Sequence, residues 1–571
     1  VANLEIQDFG GRLPRRGKRL LPGNYSQEAY NTKLLSGELR GLRAMVPVHN
    51  FPADTNPAKV WRVQAQDDPA DETWFYSDVT DAELVKCPLI DDAYDRWYLF
   101  QSGVTPKVLT YSDIKAGTGP WNLGFSAPAT APTLAPTVVE PLDVRDVVYT
   151  YTYITTWGEE TINAPAATVS VDDAGSVTVS GFYDPPPAIE GRQYEFVRIY
   201  RTITVGDVGG VFFVTEVPWG TDTYNDTLPD VEVSLNEQLM SQSYGKVPQA
   251  AYGAKVHPSG ALVAFDKQTI YFSEPYRPHA WPEVYRIAVP DNIVGLEVFG
   301  QNVGVFTEGR PIMLYGAGPG QIGILKYSFS EPCIAYGSIV GSPEGAYYAS
   351  HQGLVMFTSN GPVNITKDAI SKEEWQRDYL DSRTSAARYG TQYVAMERPG
   401  VGYIIDSLEP RIAFTDIALP PGVEVSSFSP DMYTAELYAV AGDTVFIWDS
   451  TDAQETDYVW KSKQQVLPTP VNMGAVMVHI EERVGDEYIP PGPLPQPPFP
   501  PEYAAIDKER QVLLEVFMND ERVLAAPCGD REQVRLPSGS KGDAWEIRVT
   551  GQCRLYSVAL TETGKGQARV R

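Results

Sequence analysis

The stretch "RPIMLYGAGPGQIGILKYSFSEPCIAYGSIV", Arg310 to Val340, contains at Gly318–Gly323 the G-x-G-x-x-G spacing of a dinucleotide-binding loop. Those glycines cradle a pyrophosphate only where a strand enters the turn and a helix leaves it, presenting its N-terminal N–H groups. "RPIMLYGA" suits the entering strand. "ILKYSFSEPCIAYGSIV" does not suit a helix: it alternates, is rich in β-branched and aromatic residues, and carries a proline, so it reads as another strand. The loop is then a glycine-rich link between strands, with no cofactor.

Working outward, strand-like elements recur as "TIYFSEP" from Thr269, "VGVFTEG" from Val303, "AYYASHQG" from Ala346, "YVAMERP" from Tyr393 and "LYAVAGD" from Leu437, at intervals of 34, 43, 47 and 44 residues. Each reads as the second strand of its unit and ends in a polar turn. Most are followed by another strand, such as "IMLYGA", "LVMFTSN", "GYIIDS" and "TVFIWDS". A period near 40–50 residues with several strands per unit is the signature of a β-propeller. "KVWRVQAQ", "WFYSD", "RWYLFQSG" and "KVLTYSD" supply earlier units.

Two proline tracts punctuate the chain, "APATAPTLAPTVVEP" (Ala127–Pro141) and "PPGPLPQPPFPP" (Pro490–Pro501), both read as extended spacers that cannot pair in a central sheet. From the first tract to about residue 236 run "VVYTYTYITTWGEE", "TVSVDDAGSVTVSGF", "YEFVRIYRTI", "GVFFVTEVP" and "DTYNDTLPD", the spacing of a small sandwich similar to fibronectin type III modules. The expected fold is all-β: a β-propeller with an inserted fibronectin/Ig-like β-sandwich and a small C-terminal β-module. Residues 1–126 hold an N-terminal arm and the first blades, 127–236 the sandwich, 237–480 the remaining blades, and 481–571 a proline-rich linker and the module. "KDAISKEEWQRDYL", Lys367–Leu380, is expected as a short surface helix.

The 571 residues carry a net charge of −27, which opposes binding to nucleic acid or anionic membrane through broad basic surfaces. The sign is uneven: residues 1–50 hold eight basic side chains against four acidic, and residues 51–100 four against eleven. Arg12, Arg15, Arg16, Lys18 and Arg19 make a basic arm of a composition that stays extended until a partner orders it. Cys87, Cys333, Cys528 and Cys553 lack metal-ligand spacing and are expected as buried thiols of a reducing cytoplasm. No leader-like segment opens the sequence and no apolar run reaches the ~18 residues of a membrane span, so a soluble protein that does not insert into membranes by itself is expected.

Catalysis finds no support in the sequence. The adjacent carboxylates Asp67/Asp68, Asp91/Asp92, Glu159/Glu160, Asp172/Asp173, Glu373/Glu374 and Glu481/Glu482 would point to opposite faces of a strand or sit in solvated turns. His49, His257, His279, His351 and His479 have no ligand spacing and are expected at surfaces and turns. No catalytic, cofactor-binding or metal residue is therefore assigned. "EPYRPHAWP", with Tyr276, His279 and Trp281, is the best candidate for an exposed surface-reading cluster, and blade-rim packing is its bland alternative.

Several segments taken in order resemble the tail nozzle, or tail tubular, proteins of short-tailed bacteriophages. They are "FGGRLPRRGKRLLPGNYSQEAYNTKLLSGELRGLR" (Phe9–Arg43), "DDAYDRWYLFQSGVTPKVLTYSDI" (Asp91–Ile114), "TIYFSEPYRPHAWP", "VGVFTEGRPIMLYGAGPG", "CIAYGSIVGSPEGAYYASHQGLVMFTSNGPVNIT" (Cys333–Thr366) and "PVNMGAV" (Pro470–Val476). The resemblance implies a virion protein of the phage tail, assembled in the bacterial cytoplasm. Six copies would form a ring that extends the portal–adaptor channel, with double-stranded DNA passing transiently and non-specifically between subunits. Its implied partners are the other five copies, the portal adaptor ring and tail fibres or tail-tip proteins. The basic arm would dock on the adaptor. A carbohydrate-binding propeller at the tail tip is the alternative, and it would use Tyr276, His279 and Trp281.

Overall fold

The computed structural model describes residues 3–34, 37–124, 126–137, 144–172, 175–182, 189, 191–205, 208–329, 331–398, 401–406, 412–420, 422–481, 498–539 and 541–562. Antiparallel sheets dominate, and seven of them follow one another around a ring whose innermost strands are neighbours.

Blade 1 is a hairpin, Lys59–Gln64 with Glu72–Ser77. Blade 2 runs Glu83–Lys86, Arg96–Phe100, Lys107–Thr110 and Trp121–Asn122. Blade 3 spans Tyr252–Val256 to Ile287–Ala288, blade 4 Ile293–Phe299 to Gly323–Lys326, blade 5 Val340–Ser342 to Gly361–Asn364, and blade 6 Ser385–Tyr389 to Ala413–Ala418, each with four strands. Blade 7 takes three strands from Ser427–Pro430, Leu437–Ala441 and Thr444–Ile447, and its outermost strand, Val46–Asn50, from the other end of the chain. That pairing closes the ring with hydrogen bonds between segments from its two ends.

The opening loop falls in blade 4. Gly318–Gly323 spans a single 3₁₀ turn, Pro319–Gln321, and Gly323 begins a strand paired antiparallel with Ile312–Tyr315. No helix follows, as the β-branched and aromatic pattern requires. The repeat reading holds with one change of register. Val303, Ala346, Tyr393 and Leu437 lie on second strands, whereas Thr269–Phe272 is the third strand of blade 3. Its neighbour Leu262–Asp266 is equally apolar and is the true second strand, which is why the first interval comes out short.

The sandwich sits between blades 2 and 3. One sheet orders Ala167–Asp172, Val144–Thr155, Tyr194–Val205 and Val208–Pro218, and the other Thr133–Thr137, Ser176–Ser180 and Thr223–Asp226. First and last strands flank the same central strand, so the segment enters and leaves close together. Part of the first proline tract is itself a strand: Pro136 faces Val177 at the sheet edge, where the missing N–H costs nothing. The rest of that tract from 138, and most of the second, lie outside the described residues.

The chain ends build the last body together. Asn3–Ile6 pairs with Arg554–Thr561, and Ala475–Glu481 pairs on the other side of that strand. Ser26–Tyr30 pairs with Tyr458–Ser462, which continues into Gly542–Gly551 and Val512–Met518. The two sheets enclose Ile6, Phe9, Leu39, Trp460, Trp545 and Leu555 among others. Strands at 458–481, read from the sequence as blades, thus pair with the C-terminal module, and residues 3–30 join it too. Tyr30 also bridges to Asp416, joining the module to blade 6 in one ten-stranded sheet.

The helix Lys372–Asp378 is capped by a Ser371/Glu374 capping box, as its sequence invites, but it is not a surface helix. Trp375 is fully buried and donates Nε1–H to the Ser350 carbonyl at 2.8 Å, and Ile370 and Tyr379 are buried beside it.

Candidate functional site

The basic arm is ordered by the chain's own acids. Arg12 exchanges backbone hydrogen bonds with Phe414 and drives its guanidinium onto Asp416 at 2.6 Å and the Tyr379 hydroxyl at 3.0 Å. Burial opposes its charge, but Asp416 and Tyr379 outweigh that and raise its pKa. Arg15 donates to the Lys367 carbonyl, and Lys18 pairs with Asp520 and, at 3.4 Å, with the buried carboxylate of Glu546. Arg19 Nε reaches Gln464 Oε1 at 2.7 Å. Arg16 alone of the five is exposed with no polar side-chain partner among the described residues. An extended arm was the expectation; the Pro14 and Gly17 bends instead let it lie across blade 6 and the module.

The surface-reading trio divides. Trp281 is core: it is 1% exposed, packs with Phe100 and Leu262, and donates Nε1–H to the Pro278 carbonyl at 2.7 Å. Tyr276 is half exposed, while His279 is placed deep beside it, held near pKa 3 by burial and by the positive charges of Arg96, Arg192 and Arg277. His257 is also buried, its Nδ1 against Ser259 Oγ at 2.8 Å, so surface placement fails for this histidine.

Tyr276 and His279 line a cavity of about 190 Å³ between blade 2, blade 3 and the sandwich. Three carboxylates expected in solvated loops are structural here. Asp92 grips Arg96 through two oxygens, at 2.7 and 2.9 Å, and Glu159, 1% exposed, lies 2.6 Å from Arg192 and 3.8 Å from Arg96. Glu160 accepts from Thr152, Tyr200 and Ser241. Arg192 also donates to the carbonyls of Asn122 and Leu123, and Trp157 lies beneath the Arg96 and Arg192 guanidiniums. The sandwich is therefore seated on blade 2 by a buried charge network. The signal for it, "TTWGEE" facing "GRQ" (Gly191–Gln193), carries no spacing rule that sequence alone could use.

The second cavity is the axial channel of the propeller, about 230 Å³. Innermost strands of four consecutive blades supply Lys59, Glu83, Lys255 and Glu297, linked at 2.9, 3.4 and 3.2 Å, and the Tyr336 hydroxyl donates to Glu83 at 2.8 Å. Burial works against Glu83 ionising, yet Lys255 and Lys59 prevail and hold it at about 2. Lys255 is raised by Glu297 and Glu83 against its own burial.

All four cysteines are free and buried, and burial pushes Cys333 up to about 12. Among the described residues no group of three or more His, Cys, Asp or Glu could hold a metal ion, and no helix is long and apolar enough to cross a membrane.

No protein-family model matches the sequence, and no curated protein matches it. Similar solved structures include the Pan2 WD40 domain of Neurospora crassa (10% identical, covering 46% of this chain and 88% of that one, TM-score 0.27). BamB from Moraxella catarrhalis is 11% identical, covering 49% and 90%, TM-score 0.22. Sqt1 from Saccharomyces cerevisiae is 10% identical, covering 71% and 99%, TM-score 0.28. The β-propeller fold of this chain rests on its own strand pairing.

Proposed function

We propose that this chain is a structural, non-catalytic subunit of a short-tailed phage tail nozzle: one of six copies in a ring that continues the portal–adaptor channel and conducts genome DNA during ejection. The observation that carries the reading is the plugged axial channel. Lys59, Glu83, Lys255, Glu297 and Tyr336 bridge a space of only about 230 Å³, so a duplex has no way through one propeller and any conduit lies between copies. The −27 charge supports a wall that repels passing phosphates rather than holding them by salt-dependent contacts. Arg16, with the half-exposed Arg15, offers cations for an acidic adaptor surface. The tail fibre or tip contact falls to the sandwich, which is inserted between blades 2 and 3.

Negative-stain imaging of virions labelled on this chain tests the reading. A six-fold ring at the tail is expected, with purified chain monomeric or weakly associated until the adaptor templates it. A closed dimer or trimer, or absence from the tail, overturns it.

A further inference from the structure

The junction cavity is polar, aromatic and only partly used by the network that seats the sandwich. Arg277 is exposed at its rim, its guanidinium 5.3 Å above the Tyr244 ring, and no carboxylate pairs with it among the described residues. Tyr276, half exposed, also lines the cavity and rests on Gly260: a Cβ at Gly260 would lie 2.5 Å from the Tyr276 ring, so the glycine is what makes room for the ring. Glu160 uses Oε1 for three hydroxyl donors, at 2.8, 2.7 and 3.2 Å, while the nearest cation to Oε2 is Arg198 at 3.9 Å. That oxygen keeps acceptor capacity, and Glu160 is one of the residues that line the cavity.

We propose that this pocket binds one acidic sugar ring of the hexuronate class, its carboxylate on Arg277, its C–H face on Tyr276 and a ring hydroxyl donating to Glu160. The three groups match that ligand and disfavour its relatives. A guanidinium fork takes a carboxylate in two parallel hydrogen bonds, an aromatic face suits the apolar face of a pyranose, and a compact inorganic oxyanion has no such face to lay on Tyr276. At about 190 Å³ the cavity is smaller than the ~300–1,000 Å³ of drug-sized sites, which sets one ring as its occupant. Because blade 3 supplies Arg277 and Tyr276 and the sandwich supplies Glu160, the site exists only in the assembled chain. The proposal is independent of the nozzle reading, since a pocket between two blades and the sandwich serves a ring subunit or a free propeller equally.

Calorimetric or ligand-observed NMR titration of the full chain with glucuronate, glucose and inorganic phosphate tests it. Saturable glucuronate binding at least tenfold tighter than glucose or phosphate is expected. Arg277→Gln should weaken it tenfold or more, whereas Arg286→Gln, on the same blade but paired with Glu283 outside the pocket, should not. Both variants should keep the wild-type melting temperature, because neither guanidinium is buried. Glucose or phosphate binding as tightly as glucuronate, no saturable glucuronate binding, or an unaltered affinity in Arg277→Gln would each overturn the assignment.

Discussion

Glu83 stands between two lysines of neighbouring blades, so its charge is worth more in the ring than alone. Glu83→Gln strands Lys59 without an anion and leaves Lys255 only Glu297; removing one partner of a buried pair costs about 3 kcal/mol. Because its folded pKa, about 2, lies below the ordinary carboxylate value of 4.5, its contribution is complete above pH 4.5 and lost as pH falls toward 2. Lys255 is raised, so its share persists up to its ordinary value of 10.5 and fades only above that. Denaturant titrations from pH 2 to 7 should therefore show a steeper acid loss in wild type than in Glu83→Gln; parallel curves would contradict the channel assignment. Glycines in the blade 4 loop give a second residue-scale test. Gly316 has φ +155°, and a Cβ there would meet the Gln321 carbonyl oxygen at 2.2 Å, whereas Gly318 and Gly320 have no atom closer than 3.7 Å. Gly316→Ala should cost about 1–3 kcal/mol, and Gly318→Ala and Gly320→Ala less than about 0.5 kcal/mol, measured by urea unfolding. A phosphate-binding loop would have made Gly318 the critical one.

At the scale of elements, arginines fasten both the arm and the sandwich. Arg12→Ala leaves Asp416 facing Tyr379 without its cation and should cost about 3 kcal/mol, while Arg16→Ser should leave stability unchanged and alter only attachment to a partner. Arg192→Leu should uncouple the sandwich, so that calorimetry resolves two transitions where wild type gives one; a single unshifted transition would show that Arg192 does not couple the bodies. The strands were legible because apolar alternation and turn residues are local properties. Trp375 was misjudged because its helix is too short for periodicity to reveal a buried face. The arginine seats were invisible for a different reason. Arg12 meets Asp416, and Arg96 meets Glu159, through folding that brings distant segments together, and no spacing in the chain encodes it.

The whole molecule is tied at its ends: Asn3 lies opposite Thr561 and Asn50 opposite Thr444, so neither the module nor the ring is complete until both ends of the chain are present. Contacts of that sequence separation form late and slowly. Two truncations separate the two closures. A chain starting at residue 45 keeps Val46–Asn50, so blade 7 closes, but it withdraws Ile6, Phe9, Ala29 and Leu39 from the module core. Each large apolar side chain among these is worth about 1.5–3 kcal/mol, and together they reach the 5–15 kcal/mol that holds a domain folded. Limited proteolysis read by mass spectrometry should then cut throughout 458–562, and blade 6 should loosen with its lost Arg12 and Asn31 contacts, while blades 2 to 5 stay protected. A chain starting at residue 53 also opens the seam of blade 7, leaving Thr444–Ile447, with Val445, as an unpaired edge, and should lose protection around the whole ring. Equal protection of the ring in both truncations would mean that the N-terminal strand does not close the propeller; a protected module in the first would mean that its core stands without the N-terminal strands.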